Sequence, residues 1–268
     1  MQKGIGIFGK QYEFGYKNET QAEGSVVRVL FDEMIKLDED SVDYLYSSYT
    51  DLSKRYEQGC RPVLERIVDE LKGVTNAETV DNIMKFCRNV VTRCNMPSKN
   101  FIYGGTEEDV IERATYWCTD VARVACVLFQ IAGFPSRIIV TVNSNFAYCG
   151  HSVAEVYYDN KWCLTDPNAG LAFRHENGSP ASAWEVHNNY EIANKIYYNS
   201  DLDSYGNSIF FPPGEQFDSI GISNYYVGDM DKYDYTTSGT NEFYRKILKH
   251  SGEKWAGGLR WVHGEEFL

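Results

Sequence analysis

Apolar residues recur at three- and four-residue intervals through residues 62–95, the period of helices with one buried face. Pro62 suits the first turn of a helix carrying Val63, Leu64, Ile67, Val68 and Leu71, and Gly73 can end it. Thr75-Asn76-Ala77-Glu78 has the pattern of a capping box. Behind it Val80, Ile83, Met84, Cys87, Val90 and Val91 keep helical spacing, which makes Cys87 a core residue. An earlier run, Val26, Val29, Leu30, Met34 and Leu37, follows Ser25, a residue suited to an N-cap. Residues 26–95 therefore read as helical, and the Gly-rich, polar residues 1–25 as an extended arm. Residues 117–133 differ from all of these. Val121, Ala122, Ala125, Leu128, Phe129 and Ala132 form one face, while Val124, Val127 and Ile131 fill much of the rest. A helix apolar nearly all round is central and buried. Gly133, followed by Phe134-Pro135, stops it.

The pattern then changes period. Arg137 to Val142, Ser152 to Tyr158 and Lys161 to Thr165 are short, β-branched and aromatic, and read as strands. Asp159-Asn160 is a two-residue hairpin turn between the last two. Residues 96–116, with Pro97, Gly104 and Gly105, read as a loop. Beyond residue 167 Tyr, Asn, Asp and Gly are dense and no strong period emerges; only Glu242 to His250 reads as a helix.

Composition narrows the classes. Of 268 residues 43% are hydrophobic and 24% charged, the balance of a folded globular chain and not of a disordered or fibrous one. Lys and Arg number 26 against 38 Asp and Glu, a formal charge of -12, which disfavours binding to nucleic acid or to an anionic membrane surface. No run of about 18 apolar residues offers a membrane span. The N-terminus does not read as a signal peptide, so a cytoplasmic chain with reduced thiols is expected. The seven cysteines include no Cys-x-x-Cys pair, and the histidines at 175, 187, 250 and 263 lack ligand spacing. No metal and no cofactor are expected.

Three residues carry the chemistry. Cys118 falls in the first turn of the buried helix, where the helix dipole and free backbone N–H groups favour a thiolate and could hold a developing oxyanion. Cys126, two turns on, has no such advantage and reads as core. His151 opens one strand of the hairpin and Asp166 closes the other. With a two-residue turn at 159–160, residue 158 faces 161 and residue 153 faces 166. His151 then lies on the same face as Asp166, as its diagonal neighbour and within side-chain reach. A carboxylate there can orient the imidazole and stabilise its charged form. One slipped residue would place the two on opposite faces.

These blocks resemble the transglutaminase-like superfamily of papain-type thiol enzymes. The family has a Cys opening an apolar helix that ends in Gly-hydrophobic-Pro-small-Arg, as in WCTDVARVACVLFQIAGFPSRIIV; a His leading a strand that carries a Glu, as in HSVAEVYYDNKW; and a Trp-containing strand ending in Asp-Pro, as in WCLTDPNAG. The resemblance spans roughly residues 80–170. It implies an α+β fold, a papain-like core with the nucleophile helix packed on an antiparallel sheet, plus N-terminal helices. It implies residues 1–95 as arm and helical segment packed on the core and 96–268 as catalytic core with an aromatic-rich extension, together one compact domain. It assigns Cys118 as nucleophile, His151 as general base and acid, and Asp166 as the orienting carboxylate. Trp117 stands where an aromatic shapes the oxyanion pocket, and Arg137 and Trp162 match framework positions. Ser152 and Tyr116 depart from the family pattern. The paired-cysteine zinc motif of peptide N-glycanases is absent, and the length leaves no room for the extra domains of animal transglutaminases. The implied activity is cleavage or transfer of an acyl group from an amide or thioester of a peptide, protein or carrier-bound substrate, through a Cys-linked acyl-enzyme. Hydrolysis is the first expectation, transfer to an amine the second, and a non-catalytic binding module on the same fold the third. Trp255, Trp261 and the Tyr225-Tyr226 pair are candidates for an acceptor wall over the site.

Overall fold

The structure is a computed structural model that describes residues 3–5, 35–36, 39, 42, 46, 56–95, 102–104, 106–142, 150–198, 217 and 219–223. Its elements in chain order are β1 (Lys3–Ile5), β2 (Ile35–Lys36), α1 (Pro62–Leu71), α2 (Asn76–Thr92), β3 (Ile102–Gly104), α3 (Glu107–Arg113), α4 (Cys118–Ala132), β4 (Ser136–Val142), β5 (Gly150–Tyr158), β6 (Lys161–Asp166), β7 (Leu171–Ala172), α5 (Ala183–Asn188), α6 (Glu191–Tyr198) and β8 (Ser219–Ser223).

Helix α4 is buried on every side from Thr119 to Gln130, as its all-round apolar sequence requires. Burying each of its Val, Leu and Phe side chains contributes about 1.5–3 kcal/mol. Its one long polar side chain near the C-terminal end is satisfied locally: Gln130 Nε2 donates to Cys126 Sγ at 3.5 Å and to the Ser136 carbonyl at 3.4 Å. Gly133 ends the helix with φ 100°, and the N–H groups of Gly133 and Phe134 close on the carbonyls of Gln130 and Phe129. Only glycine takes that left-handed conformation without strain.

The chain then turns into a six-stranded sheet of order β2-β8-β4-β5-β6-β7, antiparallel throughout. The β5–β6 turn is the expected one. Asp159 and Asn160 both have positive φ, 50° and 62°, the pair of left-handed residues that a type I′ turn needs. Register follows from it, with Tyr158 opposite Lys161 and Ala154 opposite Thr165. Alternation divides the sheet between two cores. Ile138, Ala154, Val156, Tyr158 and Cys163 pack with α1, α2 and α4, while Ile139, Val153 and Leu164 pack with Phe173, Val186, Tyr190 and Phe217. The fold is α+β, a papain-like core with the Cys118 helix on an antiparallel sheet.

Two buried charge networks tie the layers together. Arg123 on α4 donates to Glu107 of α3 at 2.7 Å and to Asp120 at 3.2 Å. Arg113 reaches Asp120 at 2.9 Å, and Arg61, just before α1, reaches Glu107 at 2.7 Å and also pairs with Glu108. Arg137 on β4 donates to Glu155 on β5 at 2.6 Å through Nη2 and 2.8 Å through Nε. Its guanidinium lies 4.1 Å from the Trp162 ring centre and 5.1 Å from that of Tyr46. The other Glu155 oxygen accepts from the Tyr46 hydroxyl at 2.7 Å and from the Ala183 N–H at 2.8 Å. Both carboxylate oxygens of Glu155 are thus engaged, which is what makes its full burial tolerable.

Several expectations are corrected. Ile35–Lys36 is a strand paired with β8, although the run from Val26 to Leu37 reads as helical; pairing with a distant strand overrides the local period. The loop expected over 96–116 contains β3, paired in parallel with β1, and α3. Helix α3 carries a complete capping box, Thr106 with Asp109. Helices α5 and α6 lie in the segment that showed no period, and α5 too opens with a capping box, Ser182 with Glu185. Both α3 and α5 are too short for hydrophobic periodicity to register. The remaining residues of the Val26–Leu37 run, the Glu242–His250 helix, Tyr225, Tyr226, Trp255, Trp261, His250, His263 and Cys149 lie outside the described residues.

Removing one partner of a buried ion pair strands the other charge, at about 3–5 kcal/mol. Arg137→Met is therefore expected to lower stability by that order in urea unfolding. Adding Glu155→Gln to it should cost less than the two single changes summed, because the stranded charge is gone.

Candidate active site

Cys118 is the first residue of α4 and is half-buried. The capping position before it is Trp117, half-buried and extended, whose side chain makes no cap hydrogen bond. The first intrahelical bond near it is Val121 N–H to the Trp117 carbonyl, 3.1 Å. The earlier N–H groups of α4 have no intrahelical acceptor, so this end of the helix presents donors and positive potential beside the sulfur. Asp120, also in the first turn, does not cancel that potential, because Arg113 and Arg123 hold its carboxylate.

The hairpin register carries His151 to Asp166. His151 Nε2 and Asp166 Oδ1 are 3.1 Å apart, and both side chains are buried. The same Oδ1 accepts the backbone N–H groups of Asn168 at 3.0 Å and Ala169 at 3.1 Å. The turn after β6 thus fixes the carboxylate, and the carboxylate fixes the ring. Burial opposes a charge on His151, but the Asp166 carboxylate and the contact with Cys118 outweigh it and raise its pKa above the ordinary histidine value.

Cys118 meets His151 from the other side. Burial opposes its ionisation, yet hydrogen bonding to and attraction by the His151 imidazole, with hydrogen bonds from the Ser152 N–H and hydroxyl, bring its pKa below the ordinary thiol value. The other buried thiols go the opposite way. Burial alone pushes Cys87 far up, and burial holds Cys126 at about 12 and Cys163 at about 11 despite their hydrogen bonds. Of these four thiols Cys118 is the one shifted toward ionisation.

The structure therefore brings Cys118, His151 and Asp166 together and places Trp117 at the N-cap of the helix that Cys118 opens. It also adds residues that sequence reasoning missed. Ser152 helps to lower the Cys118 thiol, and its Oγ lies 3.0 Å from Thr119 Oγ1. Asn168 Nδ2 donates to the Tyr116 carbonyl at 2.8 Å, tying the Asp166 turn to the segment before Cys118. Arg88 on α2 holds that turn through the Asn168 carbonyl at 3.0 Å. Gly170 has φ +75°, and a Cβ there would meet Arg88 Cβ at 2.7 Å. The Asp-Pro-Asn-Ala-Gly run signals such a turn, but nothing in the sequence shows what it touches. His175 and His187 are engaged elsewhere, with Glu185 at 3.1 Å and the Phe217 carbonyl at 2.7 Å. Among the described residues no group of three or more His, Cys, Asp or Glu is disposed to hold a metal ion, and no helix is long and apolar enough to cross a membrane.

A lowered pKa means Cys118 is thiolate where ordinary thiols, with pKa about 8.5, are still protonated. Iodoacetamide should therefore label Cys118 faster than Cys87, Cys126 and Cys163, with the largest advantage below pH 8, and His151→Ala should reduce that advantage. Peptide mapping across pH 5–9 reads both. Gly170→Ala should lower stability by at least about 1 kcal/mol, since Ala must take a left-handed φ and displace Arg88. It should also slow Cys118 labelling, because the Asp166 turn moves with it.

The model of the Transglutaminase-like superfamily matches residues 64–167. Among solved structures the chain is similar to one titled "Crystal structure of a TGase", at 20% identity and a TM-score of 0.31, over 48% of this chain and 37% of that one. The chain thus spans little more than a third of that structure's length. No curated protein matches the chain. The matched residues run from α1 to the end of β6 and enclose Cys118, His151 and Asp166, so this part of the chain, and with it the candidate site, is similar to the transglutaminase-like superfamily.

Proposed function

We propose that this chain is a thiol enzyme that cleaves an amide or thioester acyl group of a peptide, protein or carrier-bound substrate. The observation that carries the reading is the Cys118–His151–Asp166 chain, in which His151 lowers the thiol while Asp166 and Cys118 raise the imidazole. The thiolate of Cys118 attacks the carbonyl carbon and forms a C–S bond. Negative charge moves to the carbonyl oxygen, toward which the first N–H groups of α4 can donate. Collapse of the tetrahedral intermediate breaks the bond to the leaving amine or thiol, and His151 gives that group its proton. Water, deprotonated by His151, then attacks the acyl-enzyme. The C–S bond breaks, the acid departs and the thiolate returns. Asp166 holds the ring in place throughout and stays ionised.

The same acyl-enzyme can pass its acyl group to an amine, which would make the chain an acyltransferase; the acceptor that reaches the thioester decides. The thiol, imidazole and carboxylate in this arrangement support catalysis over a binding module on the same fold.

The test is direct. After mixing with an activated acyl ester and acid quench, intact mass should show one acyl group on the wild-type chain, mapping to Cys118, and none there on Cys118→Ala. Turnover should vanish in Cys118→Ala with the melting temperature nearly unchanged. Asp166→Ala should lower turnover by less than Cys118→Ala does. Full activity in Cys118→Ala would refute the reading.

A further inference from the structure

His151 accounts for only one side of the Cys118 sulfur. Strand alternation places Ser152 on the opposite face of β5 from Val153 and Glu155, with Ala154, which packs in the α4 core. From there Ser152 sits beside the start of α4, and its backbone N–H and hydroxyl both help to hold the Cys118 thiol below its ordinary pKa. Its Oγ also lies 3.0 Å from Thr119 Oγ1, on the residue that follows Cys118 in α4, and both side chains are buried. A hydroxyl carries one proton. If Ser152 donates it to sulfur, Thr119 can donate to Ser152; if the sulfur is not an acceptor, Ser152 can turn its proton to Thr119.

We propose that Thr119 and Ser152 form a hydroxyl relay that donates to the Cys118 thiolate independently of His151. The relay rests on the thiol-enzyme reading above and adds a role to it. It holds the resting thiolate from the strand side. As the C–S bond forms, sulfur loses its negative charge and becomes a poor acceptor, and the Ser152 proton rotates to Thr119 with no heavy atom moving. When the C–S bond breaks in deacylation, the proton turns back and stabilises the departing thiolate. No proton leaves the relay at any stage.

The other charged groups near the first turns of α4 do not substitute for it. Asp120 is held by Arg113 and Arg123, and Glu107 by Arg61 and Arg123. Arg88 on α2 donates to the Asn168 carbonyl, Arg137 on β4 pairs with Glu155 on β5, and Asp166 acts through His151. Among the described residues the ionisable partner of the sulfur is His151, and the strand side is covered by Ser152.

The test is the pH profile of Cys118 alkylation by iodoacetamide, read by peptide mapping on the full chain. Ser152→Ala should move the midpoint up by about one pH unit, about a tenfold loss of labelling below it. Thr119→Val, similar in shape but without the hydroxyl, should move it less and in the same direction, and Ser152→Thr should restore it. In His151→Ala the midpoint should rise, and adding Ser152→Ala should raise it further, above that of an ordinary cysteine, about 8.5, because burial is then opposed by neither side chain. Ser152→Ala labelling like wild type would overturn the proposal, and Thr119→Val labelling like wild type would overturn the relay behind Ser152. A wild-type midpoint at the ordinary value would instead sink the thiol-enzyme reading itself. Melting temperatures close to wild type guard against loss of fold in each variant.

Discussion

The contact between the start of α4 and the start of β5 is the constraint on which the site depends. Cys118 is the first residue of α4 and His151 the second of β5. The sulfur meets the imidazole only if helix and strand hold fixed depth and angle. Packing along the rest of both elements supplies that. Twelve consecutive residues of α4, Thr119 to Gln130, are buried against α1, α2, α3 and the sheet, so the helix cannot slide without opening a core at close-packed density. The β5 strand is held between β4 and β6 and cannot shift register without turning His151 away.

Buried charge performs a second task at the same place. A carboxylate two residues from a thiolate would oppose its ionisation, and Asp120 is such a carboxylate. Arg113 and Arg123 bind both of its oxygens, and the network continues through Glu107 to Arg61. Arginines 61, 113 and 123 meet Glu107, Glu108 and Asp120, three charges of each sign, so the network beside the sulfur carries no net charge. The difference among the cysteines then follows from local partners. Cys87 has burial alone, and its thiol is pushed up; Cys118 has burial opposed by an imidazole and donors on the strand side, and its thiol is brought down.

Much of this was legible along the chain. Helices α1, α2 and α4, strands β4 to β6 and the type I′ turn between β5 and β6 all follow from periodicity, capping and turn residues that act within a few positions. The His151–Asp166 contact was legible for the same reason, since a two-residue turn sets the register of everything paired behind it. The elements that escaped are of two kinds. Helices α3 and α5 are short, and their signal lay in capping boxes at Thr106 and Ser182 and not in any apolar stripe. Strands β1, β2 and β3 have two or three residues each, and their pairing comes from partners far along the chain.

The amino-acid order by itself determined a buried helix with a cysteine at its unguarded end, and a hairpin that sets a histidine beside an aspartate. Those are local outcomes, fixed by side-chain period and backbone dihedrals over a dozen residues. Only the tertiary structure decided that the helix end should meet the hairpin, that Ser152 and Thr119 should face each other across that contact, and that Arg88 and Gly170 should hold the turn behind Asp166. Each of those contacts joins residues on different elements. Their geometry is set by how two layers pack, and no repeat or spacing along the chain encodes it.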